Sequence, residues 1–166
     1  MSCSVRPVGR AQRARLEAIT AAAGLFRPAE VAIALELFDD ALSGDDDYRC
    51  LGAYAGDELV GWACWGPTPA TQGTYDLYWI VVDPALQGRG VGTALLRAVE
   101  ARLAAEAARL VVVETSSRPD YAPTRAFYER RGYTRAATLP GYYAPGDDLV
   151  IYLKDLAHGV VARTAP

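Results

Sequence analysis

An apolar run, Leu77-Tyr-Trp-Ile-Val-Val82, leads into Asp83-Pro-Ala-Leu-Gln-Gly-Arg-Gly-Val-Gly92, and an amphipathic helical pattern follows from about Thr93. This succession of strand, glycine-rich turn and helix N-terminus constrains the chain more than any other stretch. It directs several backbone N–H groups at one spot, where the helix dipole adds partial positive charge. Glycines at 88, 90 and 92 let the main chain approach a ligand without side-chain obstruction. One glycine would suffice for a tight connection, so three alternating ones point to a bound phosphate or pyrophosphate.

Two common glycine loops do not fit. A P-loop needs a lysine after its last glycine, and none follows Gly92; the spacing 88, 90, 92 also misses Gly-x-Gly-x-x-Gly. The segment Gln87-Gly-Arg-Gly90-Val-Gly92 matches Gln/Arg-x-x-Gly-x-Gly/Ala. With Ile80-Val-Val-Asp-Pro84 before it, it resembles the coenzyme A loop of the GCN5-related N-acetyltransferase (GNAT) family. Downstream, Pro123-Thr-Arg-Ala-Phe-Tyr128-Glu-Arg-Arg-Gly-Tyr133 is similar to that family's second signature, an aromatic-Tyr-Glu-x-x-Gly-aromatic helix end. The two motifs together cover residues 77–133.

Size and composition agree with one domain over residues 1–166, with a tail at about 158–166. Such a chain is long enough to bury a core without disulfides or metal. A hydrophobic content of 51% and a net charge of −3 exclude a global basic field, so no nucleic-acid partner is expected. The three cysteines, Cys3, Cys50 and Cys64, form no Cys-x-x-Cys, and His158 is the single histidine, so no metal site is expected. No apolar run reaches membrane-spanning length and no signal-peptide core opens the chain, which makes cytoplasmic residence the default expectation.

The pattern along the chain predicts an edge strand at 4–8, helices at about 10–23 and from Pro28 to Gly44, and a hairpin of 48–54 with 59–65. The long strand 74–82, a helix at 93–107, a buried strand at 110–115 and a helix at 123–131 follow. A strand pair, 133–138 with 149–153, closes the fold around a loop at 139–148. The order β-α-α-β-β-β-α-β-α-β-β describes a mixed α/β (α+β) sheet. It coincides with what the resemblance implies: a GNAT fold of six to seven strands and about four helices, splayed between the fourth and fifth strands.

The resemblance also assigns roles. Acetyl-CoA is the implied co-substrate. Ile80, Val81 and Val82 would bind its pantetheine arm through the backbone, and Gln87, Gly88, Arg89, Gly90, Val91, Gly92 and Thr93 would surround the pyrophosphate. Tyr128 stands at the position of the family's general acid. The base is open between Glu114, at the end of strand 110–115, and Asp76 on strand 74–82. Many relatives have asparagine seven residues before the tyrosine; this chain has Tyr121 there, and Thr124 is the alternative contact to pantetheine. Members of the family often pair, so a homodimer is a further expectation.

Aromatic residues exceed what the glycine loop needs. Phe26, Tyr142 and Tyr143 are the candidates for an acceptor wall, Tyr142 and Tyr143 because Pro and Gly bound their segment. The reading is acetyl transfer to a primary amine of a small molecule, amino acid or peptide terminus, by direct attack. Use of another acyl-CoA, and a non-catalytic acyl-CoA sensor, stay open at this point.

Overall fold

The computed structural model describes residues 3–44 and 46–157, and it shows the expected order of elements. Asp45, His158 and the expected tail lie outside the described residues. The strands are β1 (Ser4–Pro7), β2 (Arg49–Ala55), β3 (Glu58–Pro67), β4 (Thr74–Val82), β5 (Leu110–Ser116), β6 (Thr134–Ala144) and β7 (Asp147–Asp155). The helices are α1 (Arg13–Ala22), α2 (Pro28–Ala41), α3 (Val91–Ala105) and α4 (Ala122–Glu129). The strands form one mixed sheet in the order β1-β2-β3-β4-β5-β7-β6. Pro7 sits on the edge strand β1, where a residue without an N–H is tolerated. No helix among the described residues is long and apolar enough to cross a membrane.

The chain divides into two compact units, residues 1–67 with 77–101, and residues 68–76 with 102–166. In the first, α2 starts with Pro28 at its first turn, and Glu30 accepts the Arg27 backbone N–H at 2.7 Å. Ala34, Leu35 and Phe38 of this helix are buried. They pack with Leu16, Ile19, Tyr54, Leu59 and Trp62 into one apolar cluster. Burial of the indole and hydroxyl groups is compensated: Trp62 Nε1 donates to Thr20 Oγ1 at 3.0 Å, and Thr20 donates on to the Leu16 carbonyl at 2.7 Å. Arg13 ties α1 to α2 with a two-pronged bond to Asp39.

In the second unit, β4 and β5 pair in parallel only over Thr74–Asp76 against Leu110–Val112, the beginning of the splay. β5 then pairs along its whole length with β7, Leu110 against Asp155 to Ser116 against Leu149.

Most boundaries differ from the sequence reading by a few residues, and three of the differences are instructive. Helix α3 begins at Val91, two residues before Thr93, because glycine at 92 carries no capping signal to mark the start. β3 continues through Gly66 and Pro67, which the sequence places in a loop. The largest difference is at 139–148. Proline and glycine suggest a loop there, yet β6 runs on to Ala144 and β7 begins at Asp147. The irregularity signalled by Pro140 and Gly141 is absorbed as a register shift between Leu139 and Ala144, so Tyr142 and Tyr143 ride on a bulged strand.

Candidate active site

The first unit carries the glycine loop. Val81 is buried, whereas Ile80 and Val82 are half-buried. At the end of β4 the Asp83 N–H donates to the Val60 carbonyl at 2.9 Å, and its carboxylate accepts the Ala85 N–H at 3.0 Å. Arg15 of α1 grips the same carboxylate at 2.6 Å and also reaches Glu58 and the Leu59 carbonyl. This anchor fixes where the loop leaves the sheet. No sequence signal points to it, because Arg15 and Asp83 are 68 positions apart.

A short 3-10 turn, Pro84–Leu86, leads into the glycines. The Gln87 and Arg89 N–H groups are spent on turn carbonyls, each at 3.4 Å. Gly88 and Gly90 have φ of 75° and 86°, with open space where a Cβ would stand. Only glycine adopts that backbone at little cost, and it leaves the loop bare. The Gly90 carbonyl accepts the Ala94 N–H at 2.9 Å, so Gly90 caps α3 and the amides of Val91 and Gly92 fall in its first turn. Such first-turn amides have no intrahelical acceptor. Gln87 and Arg89 are exposed, and Thr93 is half-buried. This cradle fits a diphosphate, with main-chain donors, a helix N-terminus and the Arg89 guanidinium in one short segment.

Gly61 on β3 shapes the cradle from behind. A Cβ there would meet the Val81 carbonyl oxygen at 2.9 Å and the side chains of Val91 and Leu95 at 3.2 Å each. Phe26 is occupied in this unit: its ring meets Trp79 edge-on at 4.8 Å beside the apolar cluster.

The second unit carries the titratable groups. On β5, Val113 and Thr115 point inward and are buried, whereas Glu114 is exposed on the opposite face. Asp76 pairs in register with Val112, two residues before Glu114, so both carboxylates share that face. Partial desolvation, then the negative charge of Asp76, hold the Glu114 carboxyl above the usual glutamate range. Asp76 accepts a hydrogen bond from Thr68 Oγ1 at 2.6 Å.

Helix α4 places Tyr128 at 3% exposure, its ring edge-on to Phe127 and Tyr133. Burial, then the neighbouring Tyr121, pushes its phenol far up, so it stays an O–H donor at neutral pH. Thr124 is half-buried one turn earlier on the same helix face. Tyr143 is likewise pushed up by burial, with Glu114, Tyr142, Tyr121 and Asp147 adding to it. Tyr142 leans edge-on against Tyr143 at 5.0 Å and is otherwise exposed.

The structure therefore gathers Asp76, Glu114, Tyr121, Tyr128, Tyr142 and Tyr143 into one electrostatic neighbourhood, together with Asp147. The sequence reading assigns no part to Asp147. That residue is buried and accepts from Ser116 Oγ, while Asp148 takes the Gly141 N–H at 2.8 Å and gives its own N–H to Ser117 Oγ at 2.8 Å. These bonds brace the bulge bearing Tyr142 and Tyr143 against the end of β5.

Residues 17–133 match the family model of the GNAT acetyltransferases. The chain belongs to the GNAT family. A crystal structure of a GNAT-family protein from Desulfovibrio desulfuricans is 41% identical, with a TM-score of 0.88 over 94% of this chain and 100% of that one. The N-alpha-acetyltransferase RimI of Mycobacterium tuberculosis is 38% identical over 96 residues, 56% of either chain. The S-(2-succino)cysteine N-acetyltransferase of Bacillus subtilis is 29% identical over 72 residues, 43% of this chain and 44% of its own. The chain spans only 40% to 56% of the length of the curated relatives it matches. The glycine cradle lies in the first of the two motifs that the sequence resemblance marks, and Tyr128 lies in the second.

Proposed function

We propose that the chain is an acetyl-CoA-dependent N-acetyltransferase acting on the α-amine of a peptide terminus or amino acid by direct attack. The observation that carries this reading is the bare backbone at Gly88 and Gly90 running into the first turn of α3. Family membership supports it, and so does the match of residues 17–133, which draws on both compact units and favours one acetyltransferase domain. Both named relatives point to an α-amine, since the single nitrogen of S-(2-succino)cysteine is its α-amino group.

In this reading the amides of Gly88, Gly90, Val91 and Gly92 hold the pyrophosphate of the substrate, with Arg89 adding charge and Gln87 and Thr93 flanking. The backbone of Ile80, Val81 and Val82 takes the pantetheine arm, and an N–H of this stretch polarises the thioester carbonyl. Thr124 contacts the arm in place of the asparagine that Tyr121 replaces.

The proton arithmetic favours an α-amine. At pH 7 a lysine amine, with pKa about 10.4, must climb about 4.6 kcal/mol to become neutral, whereas an α-amine with pKa about 8 needs only about 1.4 kcal/mol. Glu114, held above the ordinary glutamate range, is better matched to accept that proton than an unperturbed carboxylate. Asp76 stands beside it on the same face of the sheet. Tyr128, locked as a phenol, donates a hydrogen bond to the departing sulfur and stabilises the developing thiolate. Tyr142 and Tyr143 form the acceptor wall, where aromatic faces and nearby carboxylates favour an ammonium group over an anion.

The test is thiol release from acetyl-CoA against peptides with free and blocked N-termini, free amino acids and lysine side-chain analogues. Turnover that requires a free α-amine supports the proposal. Coenzyme binding without turnover on any amine would leave a sensor in place of an enzyme, and faster turnover with a longer acyl-CoA would reassign the donor.

A further inference from the structure

Cys50 and Cys64 form a second chemically competent pair, apart from the proposed acetyl-transfer residues. They stand directly opposite each other on the antiparallel strands β2 and β3. Their side chains therefore share one sheet face, the face packed against α1 and α2, where Cys64 belongs to the apolar cluster and Cys50 lies at its border. The Cys50 sulfur is the strongest single influence on the Cys64 thiol. Directly opposed residues of an antiparallel ladder hold their Cα atoms about 4.5–5.5 Å apart, inside the 4.4–6.8 Å window of a disulfide. Their accessibility differs in a useful way: Cys64 is fully buried, and Cys50 is half-exposed.

We propose that Cys50 and Cys64 are a reversible cross-strand dithiol–disulfide pair, oxidised by low-molecular-weight disulfides. The exposed member acts first. The Cys50 thiolate attacks one sulfur of the external disulfide, breaking its S–S bond, forming a mixed disulfide and releasing one thiol. The Cys64 sulfur then gives up its proton and attacks the Cys50 sulfur, and the second external thiol departs. Two protein thiols are oxidised and one external disulfide is reduced to two thiols, so electrons and protons balance. The adjoining Cys50 sulfur, and then burial, hold the Cys64 thiol up, which makes this second step the slow one.

The test uses the full chain, reduced and then equilibrated with mixtures of reduced and oxidised glutathione. Samples are acid-quenched, unfolded, alkylated and weighed. The expected product has lost two mass units, retains only Cys3 for alkylation in place of three thiols, and yields a linked Cys50–Cys64 peptide that dithiothreitol opens. Cys64→Ala should instead trap a glutathione adduct on Cys50. Cys50→Ser, at the half-exposed position, should leave Cys64 alkylatable throughout and covers the case in which the buried substitution does not fold. Wild-type protein that stops at the Cys50 adduct, links Cys3 to either partner, or keeps three alkylatable thiols at every ratio would overturn the proposal.

Discussion

Gly61→Ala is a small change with a large expected effect, because the added methyl has no room. Its carbon would lie 2.9 Å from the Val81 carbonyl oxygen and 3.2 Å from both Val91 Cγ1 and Leu95 Cδ1. Carbon contacts become favourable only at about 3.5 Å or more, so the neighbours must retreat by roughly half an ångström. Leu95 and Val91 are buried and cannot swing into solvent, and the carbonyl belongs to β4 itself. Overpacking of this kind costs about 1–3 kcal/mol, equivalent to a fall in Tm of roughly 2–12 °C for a chain of this size. The displaced atoms are those assigned to the coenzyme, the Val81 backbone and the first residue of α3. Affinity for acetyl-CoA should therefore fall several-fold, with a smaller change in kcat at saturation. Thermal unfolding paired with calorimetric titration of acetyl-CoA reads both effects. Gly88→Ala is the control for the stability measurement alone: no neighbour lies within 4 Å, so folding meets only the strain of a side chain at φ 75°, about 1–2 kcal/mol. A Gly61→Ala protein with unchanged Tm and unchanged coenzyme affinity would refute the reasoning.

The remaining predictions concern the chemistry. Tyr128→Phe should keep acetyl-CoA affinity and lower kcat at least tenfold; an unaltered kcat in steady-state assays would remove the phenol from the mechanism. Gly90→Asp should abolish coenzyme binding by calorimetry, because it places a like charge against the phosphates in a loop that is otherwise bare. Glu114→Gln should lower kcat/KM and remove the acid limb that it sets in the pH profile. The same variant should raise stability at alkaline pH. Folding lifts this carboxyl above its ordinary value of 4.5, so the folded state binds more protons, and stability falls as pH rises through the folded value. The difference between variant and wild type should vanish below about pH 4.5, and chemical denaturation at pH 4 and pH 8 checks it.

What could be read from the sequence was whatever depends on local order. The element order, the glycine turn and the buried tyrosine of α4 all rest on neighbours within a few residues, where periodicity and backbone permissiveness act directly. Gly61 was within reach too, since a glycine inside a strand marks close approach of another segment. The continuation of β6 through Pro140 and Gly141 was not legible, because local composition cannot tell a loop from a strand whose register shifts. The Asp83–Arg15 anchor and the Asp147–Ser116 brace were equally hidden. Each joins residues 31 or more positions apart, and only the folded sheet brings them together.

That difference bears on how the two halves of the proposed reaction could diverge. The carrier end uses main-chain donors, and the sequence constraint there is mainly that side chains be absent at Gly61, Gly88 and Gly90. The acceptor end uses side chains from β4, β5, the turn before α4 and the bulge of β6, set by the Asp147 and Asp148 braces. Substituting Tyr142, which is exposed, changes the wall without disturbing a buried contact. Acceptor preference should therefore shift in Tyr142 variants while acetyl-CoA affinity stays constant. Competition between two peptides of different N-terminal residues measures this as a ratio of kcat/KM values, and a parallel loss of coenzyme affinity would show that the two ends are not separable.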